Sequence, residues 1–165
     1  VDVAKDLGKP IVKVLASGHA TDTIALHGRP DLASIPVVKA AADKAYAQSG
    51  LTAKDIDFCE VHDCFTIAEI LATEDLGFCE KVQGVKFIES KETYIGGTGP
   101  AVNTDGGLKA KGHPIGAPGV SMTCEIVKQL RGECGERQVP NANVGLTHNV
   151  GGIGQYTFVQ VLRRD

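Results

Sequence analysis

The order in which hydrophobic periodicity changes along this chain constrains its fold more than any other feature. Residues 11–17 alternate as a strand does and end at Gly18. Residues 19–33 read as an irregular loop. Residues 36–49 then place Val37, Val38, Ala41, Ala42, Ala45 and Tyr46 on one helical face, and Gly50 stops the pattern. Residues 57–61 form a short strand pattern. A helix is expected over about 67–76, opened by a capping-box pattern at Thr66 and Glu69 and ended by Gly77. Residues 80–112 read mostly as loop, with weak strands near 86–89. A helix over 118–130, a strand over 143–147, a glycine turn over 148–152 and a strand over 155–162 complete the series.

Strands and helices that alternate in this way argue for an α/β layer around a central sheet. The last two strands, joined by a glycine turn, would pair antiparallel and make that sheet mixed. One domain of 165 residues, 42% hydrophobic, has enough apolar material for a core.

Charge and composition exclude several classes of function. Seventeen basic and 20 acidic residues are interspersed, for a net charge of −3, so no basic stripe points to nucleic acid. No apolar run approaches a membrane span. The N-terminal residues lack the apolar core of a signal peptide and the Arg-rich face of a transit peptide. Five cysteines, Cys59, Cys64, Cys79, Cys124 and Cys134, contain no Cys-x-x-Cys pair. A disulfide framework or a metal site is therefore not expected, and a reducing compartment fits better. The expected location is cytoplasmic, with the peroxisome as the alternative.

Three loops carry the residue types that chemistry needs. His62-Asp63-Cys64-Phe65 lies between a strand end and a helix start, where α/β sheets collect functional groups. A thiol near a helix N-terminus has its thiolate favoured, and a nearby imidazole can exchange protons with it. The plain alternative is a small apolar Cys in a packed turn, with Asp63 as a turn or cap residue. Gly112-His113-Pro114 holds a histidine between a residue that permits a tight turn and one that fixes the backbone. That arrangement suits a general base, or simply a turn histidine facing water. His148-Asn149-Val150-Gly151-Gly152 is glycine-rich and follows a strand. Its N–H groups could hold an oxyanion or a phosphate, or it is a hairpin with unusual backbone angles. No helix pattern follows it, so it is not a dinucleotide fingerprint.

Taken together, these loops resemble the C-terminal half of the thiolase superfamily. The likeness is strongest to the sterol-carrier-protein-x type and its prokaryotic relatives, in which a His-Asp-Cys-Phe loop replaces Asn-Glu-Ala. It rests on 61–66, 107–117, 129–133 and 147–152, and runs from about residue 11 to 163. The resemblance implies a βαβαβαββ half-domain over 1–165, with a mixed five-stranded sheet and helices on both faces. The matching N-terminal half, with its acyl-accepting cysteine, would lie outside the chain.

The resemblance also implies an acyltransferase that cleaves or forms 3-ketoacyl-CoA, with coenzyme A and acyl-CoA as substrates and no permanent cofactor. His113 would activate the nucleophile and His62 would help form the oxyanion hole, directly or through a water. Cys64 would be the second thiol, since Asn149 stands where most thiolases carry that cysteine. Asn149, Gly151 and Gly152 would line the oxyanion loop, and residues 19–31 would border the acyl channel. Cys59, Cys79, Cys124 and Cys134 would be structural. The expected partners are the N-terminal half in cis or in trans, a second copy of the chain, and a small zinc-ribbon/OB-fold subunit. The alternatives are a non-catalytic scaffolding subunit and a retro-aldol lyase. Relatives of the lyase kind tend to replace the His/Cys set with tyrosines.

Overall fold

The structure, a computed structural model, describes residues 2–165. Its elements are α1 (Asp2–Asp6), β1 (Val12–Thr21), α2 (Pro36–Ser49), β2 (Phe58–Val61), α3 (Thr66–Asp75), α4 (Gly84–Glu89), β3 (Ala101–Val102), α5 (Gly107–Lys111), α6 (Pro118–Arg131), β4 (Val144–Gly151) and β5 (Tyr156–Arg164). The five strands form one sheet in the order β1-β5-β4-β2-β3. β2 runs parallel to β3 and β4, while β5 runs antiparallel to both β4 and β1. The expected mixed five-stranded α/β sheet is therefore present.

The sheet carries a core on each face. Val38, Ala41, Ala42 and Ala45 of α2 and Ala72 of α3 pack with Cys59, Val61, Leu146, Val159 and Val161 on one side. Ile126 and Leu130 of α6 pack with Phe58, Ala101 and Leu162 on the other. Adjacent strand residues divide between the faces, as Phe58 and Cys59 do, because successive side chains of a strand point to opposite sides. Small alanines let α2 lie close to the sheet. Pro36 and Pro118 sit in the first turns of α2 and α6, where a missing N–H costs nothing. Gly50 and Gly132 close those helices in the left-handed conformation.

The structure corrects four local expectations. Residues 86–89 belong to helix α4 rather than a strand. Gly84, Phe87 and Ile88 face inward at i, i+3 and i+4, a spacing that the short apolar run concealed. Thr66 is the first residue of α3 and not its cap. Phe65 takes the cap position without a side-chain bond, because the preceding turn sets where the helix starts. A capping box does form at Thr52 and Asp55, with Thr52 N–H donating to Asp55 Oδ2 at 2.7 Å. Finally, β1 continues to Thr21 and β4 to Gly151, so residues 148–151 are strand and not turn. His148, Asn149, Val150 and Gly151 pair with Val159, Phe158, Thr157 and Tyr156. The β5 partner strand satisfies their backbone groups, which local glycine content could not reveal.

Candidate active site

Two histidines meet at the C-terminal ends of the parallel strands, the edge where such sheets bind ligands. His62 follows β2 directly, and Asn149 lies on the neighbouring β4. Val61 pairs with His148 across these strands, which brings the two next residues side by side. His62 Nδ1 lies 3.0 Å from Asn149 Oδ1. An amide oxygen only accepts, so Nδ1 carries the proton and Nε2 of the neutral ring is left as an acceptor. His113 follows α5 and Gly112, and its ring meets the His62 ring edge to face, with centroids 4.9 Å apart.

The environment of His62 keeps it neutral. Only 6% of the residue is exposed. Burial lowers its pKa below the usual histidine value, the Asn149 bond opposes this, and the neighbouring His113 adds to the lowering. His113 itself is exposed, as is the rest of its loop.

Cys64 sits one residue before the cap of α3 and is partly buried. The helix terminus was expected to favour its thiolate. Burial outweighs that effect and pushes the thiol above its ordinary value, against the backbone N–H groups of Phe65 and Cys64 and the charge of Lys109. The sulfur therefore holds its proton at neutral pH. Asp63 is 4% exposed, and its carboxylate accepts from Leu108 N–H at 2.6 Å and Lys109 N–H at 3.4 Å. It caps the first turn of α5, in accord with its reading as a cap residue.

Gly151 and Gly152 lie farther from the histidine pair. Gly151 is two residues beyond Asn149, about 7 Å along the strand. Gly152 turns with φ +61°, and the Gln155 side chain folds over it and accepts from Ile153 N–H at 3.0 Å. Arg29 clips the same turn to the preceding loop by donating to Ile153 O at 2.9 Å and Thr23 O at 3.2 Å. Among the remaining cysteines, Cys59 is fully buried and burial holds its thiol far above the ordinary range. Cys134 is pushed up to about 11 by burial and the nearby Glu125.

Sequence reasoning missed two buried groups next to the site. Glu60, 1% exposed, accepts from Thr104 N–H at 3.0 Å and faces Lys111 Nζ at 3.5 Å. Burial raises its pKa to about 8, the Asp105 charge adds to this, and Lys111 opposes it. His148 is 1% exposed, neither ring nitrogen has a hydrogen-bond partner among the described residues, and burial lowers its pKa to about 3. Strand alternation puts Glu60 on the same face as Phe58, opposite Cys59 and Val61, and both faces of β2 are covered, but nothing in the sequence names its partners. A cleft of about 960 Å³ opens near Asp57, Phe78 and Pro100, at the opposite ends of the parallel strands. It holds none of the three site residues His62, Cys64 or His113.

Comparisons with known proteins identify the family of the chain. Residues 18–164 match the family model described as thiolase C-terminal domain-like. The chain is 49% identical over 163 residues to an acetyl-CoA acetyltransferase of Methanothermobacter thermautotrophicus, covering 99% of this chain and 42% of that protein. It is 49% identical over 113 residues to human sterol carrier protein 2, covering 68% of this chain and 20% of that one. Among solved structures it resembles the Ltp2-ChsH2(DUF35) aldolase with a TM-score of 0.85 and 25% identity, over 95% of this chain and 40% of the other. The chain thus spans about two fifths, or less, of the length of these relatives.

Proposed function

Because the chain belongs to the thiolase C-terminal domain-like family, we propose that it supplies the acid–base and oxyanion groups of a thiolase. The reaction would be thiolysis of a 3-ketoacyl-CoA, or the reverse Claisen condensation. The observation that carries this reading is the His62–His113 pair, with His62 held by Asn149 and Cys64 two residues away.

Each residue has a role that its surroundings suit. His113 is exposed on the loop after α5 and takes the proton of a cysteine thiol supplied by the N-terminal half. That thiolate attacks the 3-keto carbon. The bond between C2 and C3 breaks, and its electron pair passes to the enolate of the departing acetyl-CoA. Cys64, which retains its proton, donates it to C2, and the incoming CoA thiol later releases the acyl group and restores the proton balance. Neutral His62 offers a bare Nε2, so it orders a water that points a proton at the developing oxyanion. This favours the water-mediated version of the oxyanion role over direct donation.

The surface around these groups supports a second polypeptide half. Phe65, Ile67, Ile115 and Val120 lie on the site loops or the first turns of α3 and α6, and each is more than half exposed. Such an apolar cluster at a polar centre suits a covering surface. A DUF35 component in the name of the solved neighbour supports an accessory subunit for this chain as well. Coenzyme A esters would be substrates rather than resident cofactors.

The test is thiolysis of acetoacetyl-CoA by this chain joined to, or mixed with, a thiolase N-terminal half. Cys64→Ala and His113→Ala should each lower kcat by about 10²- to 10⁴-fold. Full activity in either variant would remove that residue from the site. The structural likeness to an aldolase favours a second reading, carbon–carbon cleavage without thiolysis. Retention of His62, Cys64 and His113 weighs against it. Cleavage of a β-hydroxyacyl-CoA in the absence of free CoA would support it.

A further inference from the structure

The short strand β3 pairs with β2 for only two residues, Ala101 and Val102. Beyond them, side chains take over the work of the ladder. Asn103 N–H still donates to Cys59 O at 2.9 Å, but Val61 N–H donates to the Asn103 side-chain oxygen at 2.8 Å. Glu60 accepts from Thr104 N–H, and Asp63 accepts from Leu108 N–H. Asn103, Thr104 and Leu108 are thus fastened by side-chain bonds to the strand and loop that carry His62.

Asp63 is the last of these fasteners, and it lies between His62 and Cys64 in sequence. Its carboxylate takes the N–H groups of Leu108 and Lys109, while Asp105 takes that of Gly107 at 3.1 Å. The first three amides of α5 are thereby satisfied by two aspartates. The rest of α5 is a single rigid turn, closed by Gly112 N–H donating to Leu108 O at 3.1 Å, and His113 follows at once. Leu108, whose amide Asp63 holds, therefore also anchors the turn that launches His113. Gly107 permits the approach: a Cβ there would overlap Asp63 Oδ2 and lie 2.8 Å from its Cγ.

We propose that Asp63 is a positioning residue that fixes the His62 and Cys64 loop against α5, and so sets the distance and angle between His62 and His113. It touches no reacting atom. Its buried carboxylate holds two parts of the chain 45 residues apart in sequence, and each part carries a group that the thiolase reading above needs. The inference rests on that reading for its catalytic consequence, though not for the latch itself. A misplacement of about 1 Å between reacting groups costs about 100-fold in rate.

The test compares Asp63→Ala and Asp63→Asn in the complete enzyme that carries this chain. Asparagine keeps one acceptor oxygen for Leu108 N–H, and alanine keeps none. In Asp63→Ala, kcat should fall about 100-fold with the KM for CoA little changed. The nuclear Overhauser effect between the His62 and His113 rings should vanish, and Leu108 N–H should exchange faster with solvent. Asp63→Asn should restore the ring contact and most of kcat. If Asp63→Ala does not fold, Gly107→Ala breaks the same latch from the other side and should give the same loss. Unchanged kcat in the alanine variant, a loss of kcat with the ring contact intact, or an asparagine variant as impaired as alanine would each overturn the proposal. Full activity of His113→Ala in the same enzyme would instead overturn the thiolase reading, while the exchange of Leu108 N–H would still report on the latch.

Discussion

His62 Nδ1 and Asn149 Oδ1, 3.0 Å apart, join the ends of two parallel strands and fix which ring nitrogen of His62 carries the proton. An aspartate at residue 149 would offer the same acceptor with a full negative charge. Asn149→Asp should therefore raise the pKa of His62 from its depressed value, since a carboxylate favours the imidazolium. Titration of the His62 ring resonances measures this. A pKa unchanged from that of the unmodified chain would show that the two side chains do not interact as the geometry states.

Glu60 makes stability depend on pH on the alkaline side. Its pKa is raised to about 8 in the folded chain, so the folded state binds the proton more tightly than the unfolded state. The stabilisation is complete below the ordinary glutamate value and is lost as pH rises towards about 8, by about 1.4 kcal/mol per unit. Glu60→Gln mimics the protonated form. It should match the unmodified chain in urea unfolding near pH 5 and exceed it near pH 8. Parallel curves for the two proteins across that range would contradict the assignment.

His148 acts on the acid side and with the opposite sign. Its pKa falls to about 3 on folding, so its stabilisation is present above the ordinary histidine value and is lost as pH falls. Both ring nitrogens are buried without partners among the described residues, and replacing such a group by an apolar one removes a desolvation cost of about 1–3 kcal/mol. His148→Leu should raise the melting temperature and flatten its decline between pH 6 and pH 4. A variant that melts lower than the unmodified chain at pH 5 would count against this.

Gly18 governs how closely α2 approaches the sheet. A Cβ at this position would overlap the Ala41 carbonyl oxygen and lie 3.0 Å from Ala45 N, both in the helix backbone. Backbone cannot turn aside as a side chain can. Gly18→Ala should destabilise the chain by about 3 kcal/mol, read as a lower urea midpoint with an unchanged slope. A loss below about 1 kcal/mol would mean that α2 shifts freely on the sheet.

The sequence was most legible where one local signal sufficed. Helix α2 follows from the spacing of Val37, Val38, Ala41, Ala42 and Ala45, and Gly50 ends it as expected. The pairing of β4 with β5 follows from two apolar strands with a glycine turn between them. Legibility failed where a distant partner decided the outcome. Residues 148–151 read as turn because of their glycine and asparagine, yet β5 draws them into the sheet. Phe87 and Ile88 read as strand, yet packing on α3 makes them helix. Cys64 gave only half of its answer: its place before α3 promised a stabilised thiolate, and burial reversed the sign.

By itself, the sequence determined the α/β class, the family, and the candidates for chemistry: His62, Cys64, His113, Asn149, Gly151 and Gly152. Those features reside in residue type, spacing and periodicity, which are local. The tertiary structure alone decided what each of them is. It set the tautomer of His62 through Asn149, the retained proton of Cys64 through burial, and the meeting of His62 and His113 through Asp63 and α5. It also buried Glu60 and His148, whose proton affinities depend on which neighbours and how little water surround them. Desolvation and hydrogen-bond geometry are properties of positions in space, and residues 45 or 87 places apart acquire them only when the sheet closes between them.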